Sequence, residues 1–376
     1  MIPTTFKQFG LDDEILKALI KEGYTEPTPI QTQAIPPILK GMDILASAQT
    51  GTGKTAAFAL PILQHLSRNP GFAGPRHIRA LIIAPTRELA AQINDFFTAY
   101  GRYCGLKNCS VFGGVGKSNQ VHALVKGQDI LIATPGRLLD LISDGALNLQ
   151  KVEIAVFDEA DRMLDMGFIR DVRKIVALLP KKRQTLLFSA TMAKEIEELA
   201  NSLLHNPIRI AVQTEEPTVE KINQKLYLVS KEQKRDLLTK LITDNHIERA
   251  IVFSRTKHGA DRIGRSLLSA GIENGVIHAN KGQGNRTKTM DAFRRGELRV
   301  LVATDIAARG IDVDGITHVF NFDMPTEPET YIHRIGRTAR AGAAGTAISF
   351  CDNEEKKLLK QVERLIKKQI PVEKAV

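Results

Sequence analysis

The sequence predicts two α/β domains in tandem, each a mostly parallel sheet flanked by helices, joined by a short linker. A chain of 376 residues is longer than a single hydrophobic core usually serves. Short β-branched runs alternate with helical stretches, pause once in a polar segment and then resume, and such alternation is typical of buried parallel strands. We therefore predict an N-terminal domain at 1–212, a linker at 213–224 and a C-terminal domain at 225–376.

The predicted strands are continuous apolar runs separated by helical segments. In the first domain they are DILAS (43–47), RALIIAP (79–85), DILIATP (129–135), EIAVFD (153–158) and TLLFS (185–189). The linker QTEEPTVEKINQ is polar, contains a proline and has no clear period. The second domain continues with RAIVFS (249–254), GVIH (275–278), RVLVAT (299–304) and THVFNF (317–322). The last segment, EEKKLLKQVERLIKK, has apolar residues at helical spacing, which predicts a helix packed on the second domain.

The composition indicates which kind of binding partner the protein has and in which cellular compartment it is found. Lysine and arginine number 52 against 42 acids, and the resulting +10 favours a polyanionic partner, although solubility also explains it. The N-terminal sequence MIPTTFKQFGL has no apolar core of signal-peptide length, and no run approaches the roughly 18 apolar residues of a membrane span, so we expect a cytoplasmic protein with no membrane partner. Cys104, Cys109 and Cys351 lack metal-ligand spacing and are expected to be reduced thiols without chemistry.

The segment ASAQTGTGKT joins the first predicted strand to an apolar helical run. A glycine-rich turn in that position directs backbone N–H groups at phosphate, and the helix dipole favours the anion. Lys54 would reach the β- and γ-phosphates, and Thr55 would hold Mg²⁺, as in a Walker A sequence. A flexible turn would explain Gly51 and Gly53 but not the lysine and threonine. The segment predicts nucleoside triphosphate binding.

The acidic sequence DEAD, Asp158 to Asp161, follows the apolar strand EIAVF. Carboxylates at the end of a buried strand are costly unless a cation or donors compensate them. Asp158 can hold the Mg²⁺ that Thr55 also contacts, and Glu159 can orient or deprotonate a water. Alone, such a cluster is also typical of a helix start. Together with the phosphate loop it predicts hydrolysis.

The segment YIHRIGRTARAG places Arg334, Arg337 and Arg340 three residues apart. Arginines at this spacing line one helical face, and most such faces are simply solvated. The alternative is that they bind an anion. Their spacing alone does not decide between the two.

These motifs occur in the order that a known family shows. The order is GYTEPTPIQ, AQTGTGKT, PTRELA, GG, TPGR, DEAD, SAT, VFSRT, ATDIAARGID and HRIGRTARAG. The chain thereby resembles the DEAD-box ATP-dependent RNA helicases from Phe6 to Gly342, and most of all the bacterial RhlE-type subgroup. The resemblance implies two tandem RecA-like domains. Ala339 is one departure, because the family usually has glycine there, and it slightly stiffens the arginine segment.

The resemblance implies ATP and Mg²⁺ as cofactors. Phe6 would stack on adenine and Gln31 would read its edge, since a carboxamide both donates and accepts. Phe6 could instead anchor an N-terminal segment in the core, and Gln31 could be a surface residue at a helix start. The full nucleotide-binding set that the resemblance implies is Phe6, Gln31, Gln49, Thr50, Gly51, Thr52, Gly53, Lys54, Thr55 and Asp312.

The resemblance also implies RNA, single-stranded or in short duplexes, as the polyanion. The RNA-binding residues would be Thr86, Arg87, Gly113, Gly114, Thr134, Gly136 and Arg137 in the first domain, and Arg255, Arg286 and Thr304 in the second. Glycine lets backbone approach phosphate closely, and such contacts carry no base code, so binding should be independent of sequence. Ordinary turn and capping roles would also suit the segments PTRELA and TPGR.

For catalysis the resemblance implies Lys54, Asp158, Glu159, Arg337 and Arg340. The two arginines would be fingers for the phosphoryl group, while Arg334 would brace its segment or bond the DEAD acids. Coupling to domain movement would involve Ser189, Thr191, Asp161 and His333, although serine and threonine of the SAT sequence could equally cap the next helix.

The function implied is that of an ATP-dependent RNA helicase, in which RNA-stimulated hydrolysis accompanies interdomain closure and local unwinding of short duplexes. An ATP-gated RNA clamp with slow turnover is the alternative, and a DNA translocase is a third reading. We expect a monomer, with proteins of ribosome assembly or RNA decay as candidate partners.

Overall fold

The computed structural model describes residues 5–48, 51–71, 73–212, 222–245, 247–308, 313, 315–339 and 345–374. The chain divides into two compact units, Met1–Thr214 and Glu215–Val376. Each unit contains a seven-stranded sheet in which every recorded strand pair is parallel. The predicted fold class is confirmed.

The first unit begins with a short 3-10 helix, Phe6–Phe9, and then alternates helices with strands. Its strands are β1 (Ile44–Ser47), β2 (Ala80–Ile83), β3 (Asn108–Val111), β4 (Ile130–Ala133), β5 (Ile154–Phe157), β6 (Gln184–Ser189) and β7 (Ile208–Ala211). Its helices are α1 (Asp13–Lys21), α2 (Pro29–Leu39), α3 (Lys54–Arg68), α4 (Arg87–Tyr100), α5 (Ser118–Val125), α6 (Pro135–Ser143), α7 (Ala160–Asp165), α8 (Ile169–Leu178) and α9 (Lys194–Leu203). The strand order is β3-β4-β2-β5-β6-β1-β7.

The second unit has the same kind of sheet. Its strands are β8 (Ile222–Leu228), β9 (Ala250–Phe253), β10 (Asn274–Ile277), β11 (Val300–Ala303), β12 (His318–Asn321), β13 (Gly345–Cys351) and β14 (Val372–Glu373). Its helices are α10 (Lys234–Asp244), α11 (Lys257–Ser269), α12 (Gln283–Arg294), α13 (Asp305–Ala308), α14 (Pro328–Ile335) and α15 (Lys356–Ile366). The strand order is β10-β11-β9-β12-β13-β8-β14.

All nine predicted strands are present, and the described residues form five further strands that were not predicted. They are β3, β7, β8, β13 and β14, and the burial of β3, β7 and β8 is partial or alternating, so these three lack a continuous apolar run. Strand β8 begins at residue 222, so the last three residues of the predicted linker 213–224 belong to the second sheet. Residues 213–221 of that linker lie outside the described part of the chain.

Two apolar clusters cover the faces of the first sheet. Phe58, Phe97 and Phe188 belong to the cluster formed with α3 and α4, and Leu141 and Phe157 belong to the one formed with α6 and α8. The central strands are buried on both faces, as parallel sheets require. This explains why the sequence shows continuous apolar runs rather than alternation.

Three neighbouring strands end at the same edge of the first sheet. Strand β6 pairs with β5 on one side and with β1 on the other, with Ser47 opposite Ser189. Because the strands are parallel, the segments that follow β1, β5 and β6 leave from that edge together. These segments are the phosphate loop, the DEAD sequence and the SAT sequence, so the fold brings the three motifs to one place.

Two expectations from composition can be compared with the structure. Within the described ranges, no helix is both long and apolar enough to cross a membrane. The three cysteines are free thiols; Cys351 is buried, and burial raises the pKa of Cys109 to about 12.

Glycines inside the helices of the second unit give a stability prediction. A Cβ at Gly264 of α11 would lie 2.3 Å from Val276 Cγ2 and 3.0 Å from Asn274 Oδ1, whereas a Cβ at Gly284 of α12 meets nothing within 4 Å. We expect Gly264→Ala to lower the free energy of unfolding by about 1–3 kcal/mol through overpacking. Gly284→Ala is the matched control and should be neutral or stabilising by about 0.5–1 kcal/mol. Urea unfolding of both variants measures this, and equal stabilities would contradict the packing of α11 on β10.

Candidate active site

The phosphate loop connects β1 to α3 and holds a buried lysine at the first position of that helix. Gly51 and Gly53 have φ angles of 84° and 90°, a left-handed conformation that favours glycine. Lys54 is 6% exposed, and its Nζ has no hydrogen-bond partner among the described residues. A buried ammonium without a partner is costly, so the site is suited to an anion that is not part of the protein. Thr52 and Thr55 are half-buried beside it.

Two residues of the predicted nucleotide set, Gln49 and Thr50, lie outside the described residues, as does Asp312 of the second unit. The other members of the phosphate loop are adjacent in the chain and share the turn between β1 and α3.

Gln31 is buried, and its carboxamide joins the start of α2 to the phosphate loop. Its Oε1 accepts from the Thr28 backbone N–H at 2.9 Å, and its Nε2 donates to the Gly53 carbonyl at 3.1 Å. The alternative of a surface residue is wrong, because Gln31 is fully buried. A Cβ at Gly53 would lie 2.4 Å from Gln31 Nε2, so the loop approaches this side chain closely. Gln31 thus acts on the shape of the phosphate loop through a direct contact.

Phe6 lies in the core of the first unit. It is 4% exposed, and its ring makes edge contacts with Phe9 and Tyr24 at centroid distances of 6.1 and 6.5 Å. The structure therefore places Phe6 as an anchor of the N-terminal segment, and little of its ring remains open to a base. Stacking of Phe6 on adenine stays a prediction.

The first acid of the DEAD sequence is buried next to the lysine. Asp158 is 2% exposed, and burial raises its pKa to about 6, while the charge of Lys54 opposes that rise. Its Oδ1 accepts from the Glu159 backbone N–H at 3.0 Å. Because this carboxylate is so little solvated, a bound cation would offset the cost of its charge.

Glu159 has a left-handed backbone, with φ of 53°, and its buried carboxylate pairs with Arg162 one helical turn later. A non-glycine residue in this region carries backbone strain on the order of 1 kcal/mol or more. This left-handed conformation makes the sharp turn between the end of β5 and the start of α7. Sequence reasoning missed Arg162, although its spacing of three from Glu159 is typical of a helical ion pair.

Asp161 joins the DEAD sequence to the SAT sequence. Its Oδ2 accepts from the backbone N–H groups of Ala190 and Thr191, at 3.1 and 2.9 Å, and from Thr191 Oγ1 at 3.2 Å. Ser189 Oγ accepts from the Asp161 backbone N–H at 3.3 Å and donates to the Thr191 carbonyl. The alternative interpretation of the SAT sequence as a helix cap is wrong, since α9 begins at Lys194 and its N-cap residue is Ala193.

The predicted RNA residues after β2 and β3 lie against each other. Thr86 caps α4, with its Oγ1 accepting from the Leu89 backbone N–H at 3.3 Å. Arg87 lies so close to Gly114 that a Cβ there would be 1.9 Å from one guanidinium nitrogen, and Gly113 is next to it. Gly114 has a φ of 76°. The backbone angle favours glycine at 114, and the absence of a side chain there leaves room for the Arg87 guanidinium.

The segment TPGR begins helix α6. Thr134 is its buried N-cap residue, and Gly136 is exposed. Arg137 donates to Gln120 Oε1 at 3.0 Å and to the Val115 carbonyl at 3.1 Å, which ties the segment to the loop after β3. Arg87 and Arg137 therefore both lie against the loop after β3, which contains Gly113 and Gly114.

In the second unit, Arg255 follows β9 and is held by neighbouring groups. Its backbone N–H donates to Asp323 Oδ2 at 2.8 Å, and its guanidinium bonds Glu355 and the Met324 carbonyl. Glu355 is buried and also pairs with the buried Lys234. Sequence reasoning missed Lys234 and also Glu355, which lies 100 residues from Arg255 in the chain.

The other two predicted RNA residues of the second unit are half-buried. Arg286 lies in α12, and Thr304 follows β11 at the start of α13. The carbonyl of Thr304 accepts from the backbone N–H groups of Ala307 and Ala308. Thr304 therefore lies at the carboxyl end of β11.

The arginine segment does not form one helical face. Helix α14 ends at Ile335, and Gly336 follows as its C-cap, so Arg337 lies beyond the helix. Arg334 is 1% exposed, makes two bonds to Asp305 at 2.6 and 2.8 Å and donates to Asn321 Oδ1 at 3.2 Å. Of its predicted roles, the structure places Arg334 as a brace.

Arg337 is 8% exposed, and its Nε donates to the carbonyl of His333, whose own side chain is exposed. Arg340 lies outside the described residues. Ala339 has a φ of 56°, which explains why a glycine would suit this position. The substitution places strain of about 1–2 kcal/mol in the segment rather than simple stiffening.

The Arg334 brace gives a stability prediction. Arg334→Ala would leave Asp305 without its buried partner, and we expect the second unit to lose about 3–5 kcal/mol. Arg294→Ala is the control, because Arg294 pairs with Asp291 on the surface with both side chains about 40% exposed, and it should change stability within about 0.5 kcal/mol. Denaturant unfolding tests both, and a small loss for Arg334→Ala would contradict the brace.

Comparison with known proteins identifies the family. Residues 28–199 match the DEAD/DEAH box helicases, and residues 233–342 match the helicase conserved C-terminal domain. The chain is 43% identical to the DEAD-box ATP-dependent RNA helicase CshA of Bacillus cereus, over 98% of this chain and 69% of that protein. It is 41% identical to RhpA of Helicobacter pylori, over 97% and 73%.

Two solved structures have the same fold across the whole chain. Dbp5 of S. cerevisiae bound to RNA and ADP BeF3 has a TM-score of 0.88 at 33% identity, covering 99% of this chain and 96% of that one. Mss116 bound to ssRNA and UDP-BeF has a TM-score of 0.86 at 30% identity, covering 98% and 79%. The chain thus belongs to the DEAD-box ATP-dependent RNA helicases, enzymes that hydrolyse ATP.

Proposed function

We propose that this protein couples RNA-stimulated ATP hydrolysis to closure of its two domains and to local unwinding of short RNA duplexes. The observation that carries the proposal is the buried Lys54, whose Nζ has no partner among the described residues, beside the buried Asp158. Residues 1–212 would bind the nucleotide, and residues 225–376 would supply the arginines.

Each group has a separate task in the proposed hydrolysis. Lys54 binds the β- and γ-phosphates, and Glu159 orients the attacking water. Thr55 and Asp158 would hold Mg²⁺, which supplies charge neutralisation at the phosphates when bound. The buried carboxylate of Asp158 and the hydroxyl at the start of α3 are hard oxygen donors, which fit this ion.

The second domain completes the proposed site. Arg337 and Arg340 place positive charge on the transferring phosphoryl group when the domains close, and Asp312 holds the ribose. Asp161, Ser189, Thr191 and His333 transmit the state of the nucleotide to the domain movement. The bonds between Asp161 and the SAT sequence support this role, because they join the catalytic acids to the segment after β6.

RNA is the proposed polyanion, bound through its backbone without sequence specificity. Two supporting observations are the arginines and glycines that meet near 113–137 and the RNA in the Dbp5 and Mss116 structures. Such binding strengthens nucleotide binding by linkage, since both ligands favour the closed form. We further propose membership of the RhlE-type subgroup, a cytoplasmic location, a monomeric state, and partners from ribosome assembly or RNA decay.

The test is ATP hydrolysis with single-stranded RNA, single-stranded DNA or no nucleic acid. We expect stimulation by RNA alone, followed by separation of a short duplex in the same conditions. Equal stimulation by DNA would favour a translocase, and tight RNA binding with very slow turnover would favour a clamp. Lys54→Ala, folded but inactive, is the control that assigns the hydrolysis to this site.

Backbone binding predicts a steep dependence on salt. The logarithm of RNA affinity should fall with the logarithm of salt concentration by about 0.7 for each phosphate contacted on a single strand. Titrations with RNAs of equal length and different sequence should give nearly equal affinities. A strong preference for one sequence would contradict recognition through the backbone.

The finger assignment predicts a selective loss of turnover. Arg337→Ala should lower RNA-stimulated turnover by on the order of 10³ to 10⁵ and leave ATP binding largely intact. Arg337→Lys should substitute poorly, because lysine lacks the planar fork that grips phosphate oxygens. Turnover at saturating ATP and a nucleotide titration measure the two effects. Near-normal turnover in both variants would return Arg337 to a merely structural role.

A further inference from the structure

We infer that Arg162 is a positioning residue for ATP hydrolysis, whose buried guanidinium fixes the carboxylate of Glu159 in the orientation that the attacking water requires. The inference rests on the proposed role of Glu159. It adds a residue that follows the four letters of the DEAD sequence and contacts the proposed catalytic acid directly.

The geometry of the pair leaves Glu159 little freedom. The Glu159 and Arg162 side chains are 7% and 10% exposed, and Arg162 NH1 bonds Glu159 Oε2. Glu159 starts α7 from a left-handed backbone, which directs its side chain away from the regular helical course. A bond between two buried charges is little screened by solvent, so it holds the carboxylate against rotation.

Electrostatics explains why the carboxylate needs such a partner. Asp158 is adjacent in the chain and also buried, so its negative charge repels that of Glu159 with little solvent between them. Lys54 faces Asp158 and partly offsets this charge, and Asp161 adds a third carboxylate nearby. Arg162 supplies the positive charge on the side of Glu159. Without it, repulsion from Asp158 would favour other rotamers of Glu159.

Packing alone does not account for an arginine at this position. Its Nε and NH2 atoms are buried and have no hydrogen-bond partner in the described part of the chain. Each such donor costs on the order of 1–3 kcal/mol, and an apolar side chain of similar volume would fill the space without that cost. The bond to Glu159 is therefore the contact that distinguishes arginine from methionine here.

The test combines Arg162→Met, Arg162→Lys and Glu159→Gln with the double variant Arg162→Met/Glu159→Gln. RNA-stimulated turnover at saturating ATP should fall by on the order of tenfold to hundredfold in Arg162→Met. Affinities for ADP and for single-stranded RNA should stay within about twofold, because Arg162 is assigned to neither ligand. Arg162→Lys keeps the charge and should recover part of the rate. Arg170→Met, in the exposed surface of α8, is the matched control and should behave as wild type.

The double variant separates positioning from a general structural effect. If Arg162 acts through Glu159, then Arg162→Met should lower single-turnover hydrolysis by less than about twofold in the Glu159→Gln background. An equal loss in both backgrounds would overturn the inference, as would wild-type or faster turnover in Arg162→Met. If Arg162→Met does not fold, Arg162→Lys with and without Glu159→Gln gives the same comparison. Wild-type turnover in Glu159→Gln alone would instead refute the proposed role of Glu159.

Discussion

The site depends on a constraint set by the parallel sheet. Parallel pairing sends the segments after β1, β5 and β6 from one edge, and the order β5-β6-β1 makes them neighbours. Lys54 and Asp158 reach that edge from different segments and are both buried there. Their charges act on each other with little solvent between them, and the left-handed turn at Glu159 and the bonds of Asp161 arrange the rest of the acids around this pair. The chemistry of the first unit follows from strand order as much as from residue type.

The sequence predicted the fold because buried parallel strands have a distinctive composition. The nine apolar runs all form strands, and the alternation with helices excludes an antiparallel arrangement of hairpins. The strands that were not predicted differ from these runs in burial, length or sequence context. Strand β8 alternates buried and exposed residues, and β14 is two residues long and exposed, so neither resembles a run buried on both faces. Strand β13 is buried, but it follows the glycine-rich end of the arginine segment, a composition that predicts a loop. Pairing with β8 and β12 decides its state.

The site could be predicted from the sequence where a short motif, with fixed residue types at a fixed spacing, carries one chemical role. Lysine and threonine after a glycine turn, and acids after a strand, required no knowledge of the remaining chain. Contacts between distant segments were not predictable. The carboxamide of Gln31 donates a hydrogen bond to the carbonyl of Gly53, which lies 22 residues further along the chain. The guanidinium of Arg255 pairs with Glu355, which lies 100 residues further along. The arginine spacing of three was misleading as a helical pattern, because Gly336 ends the helix between Arg334 and Arg337.

Two buried lysines show how the structure separates a structural charge from a functional one. Lys234, 1% exposed, is neutralised by Glu355 and by Asp352 at 3.2 Å, and these carboxylates tie α10 to the start of α15. Lys54, 6% exposed, has no hydrogen-bond partner among the described residues, although Asp158 lies near enough to feel its charge. Burying a charge is costly in both places. At Lys234 the protein offsets that cost with its own carboxylates, whereas at Lys54 an external anion has to offset it. Binding of a phosphate group at Lys54 should therefore also stabilise the folded state of the first unit.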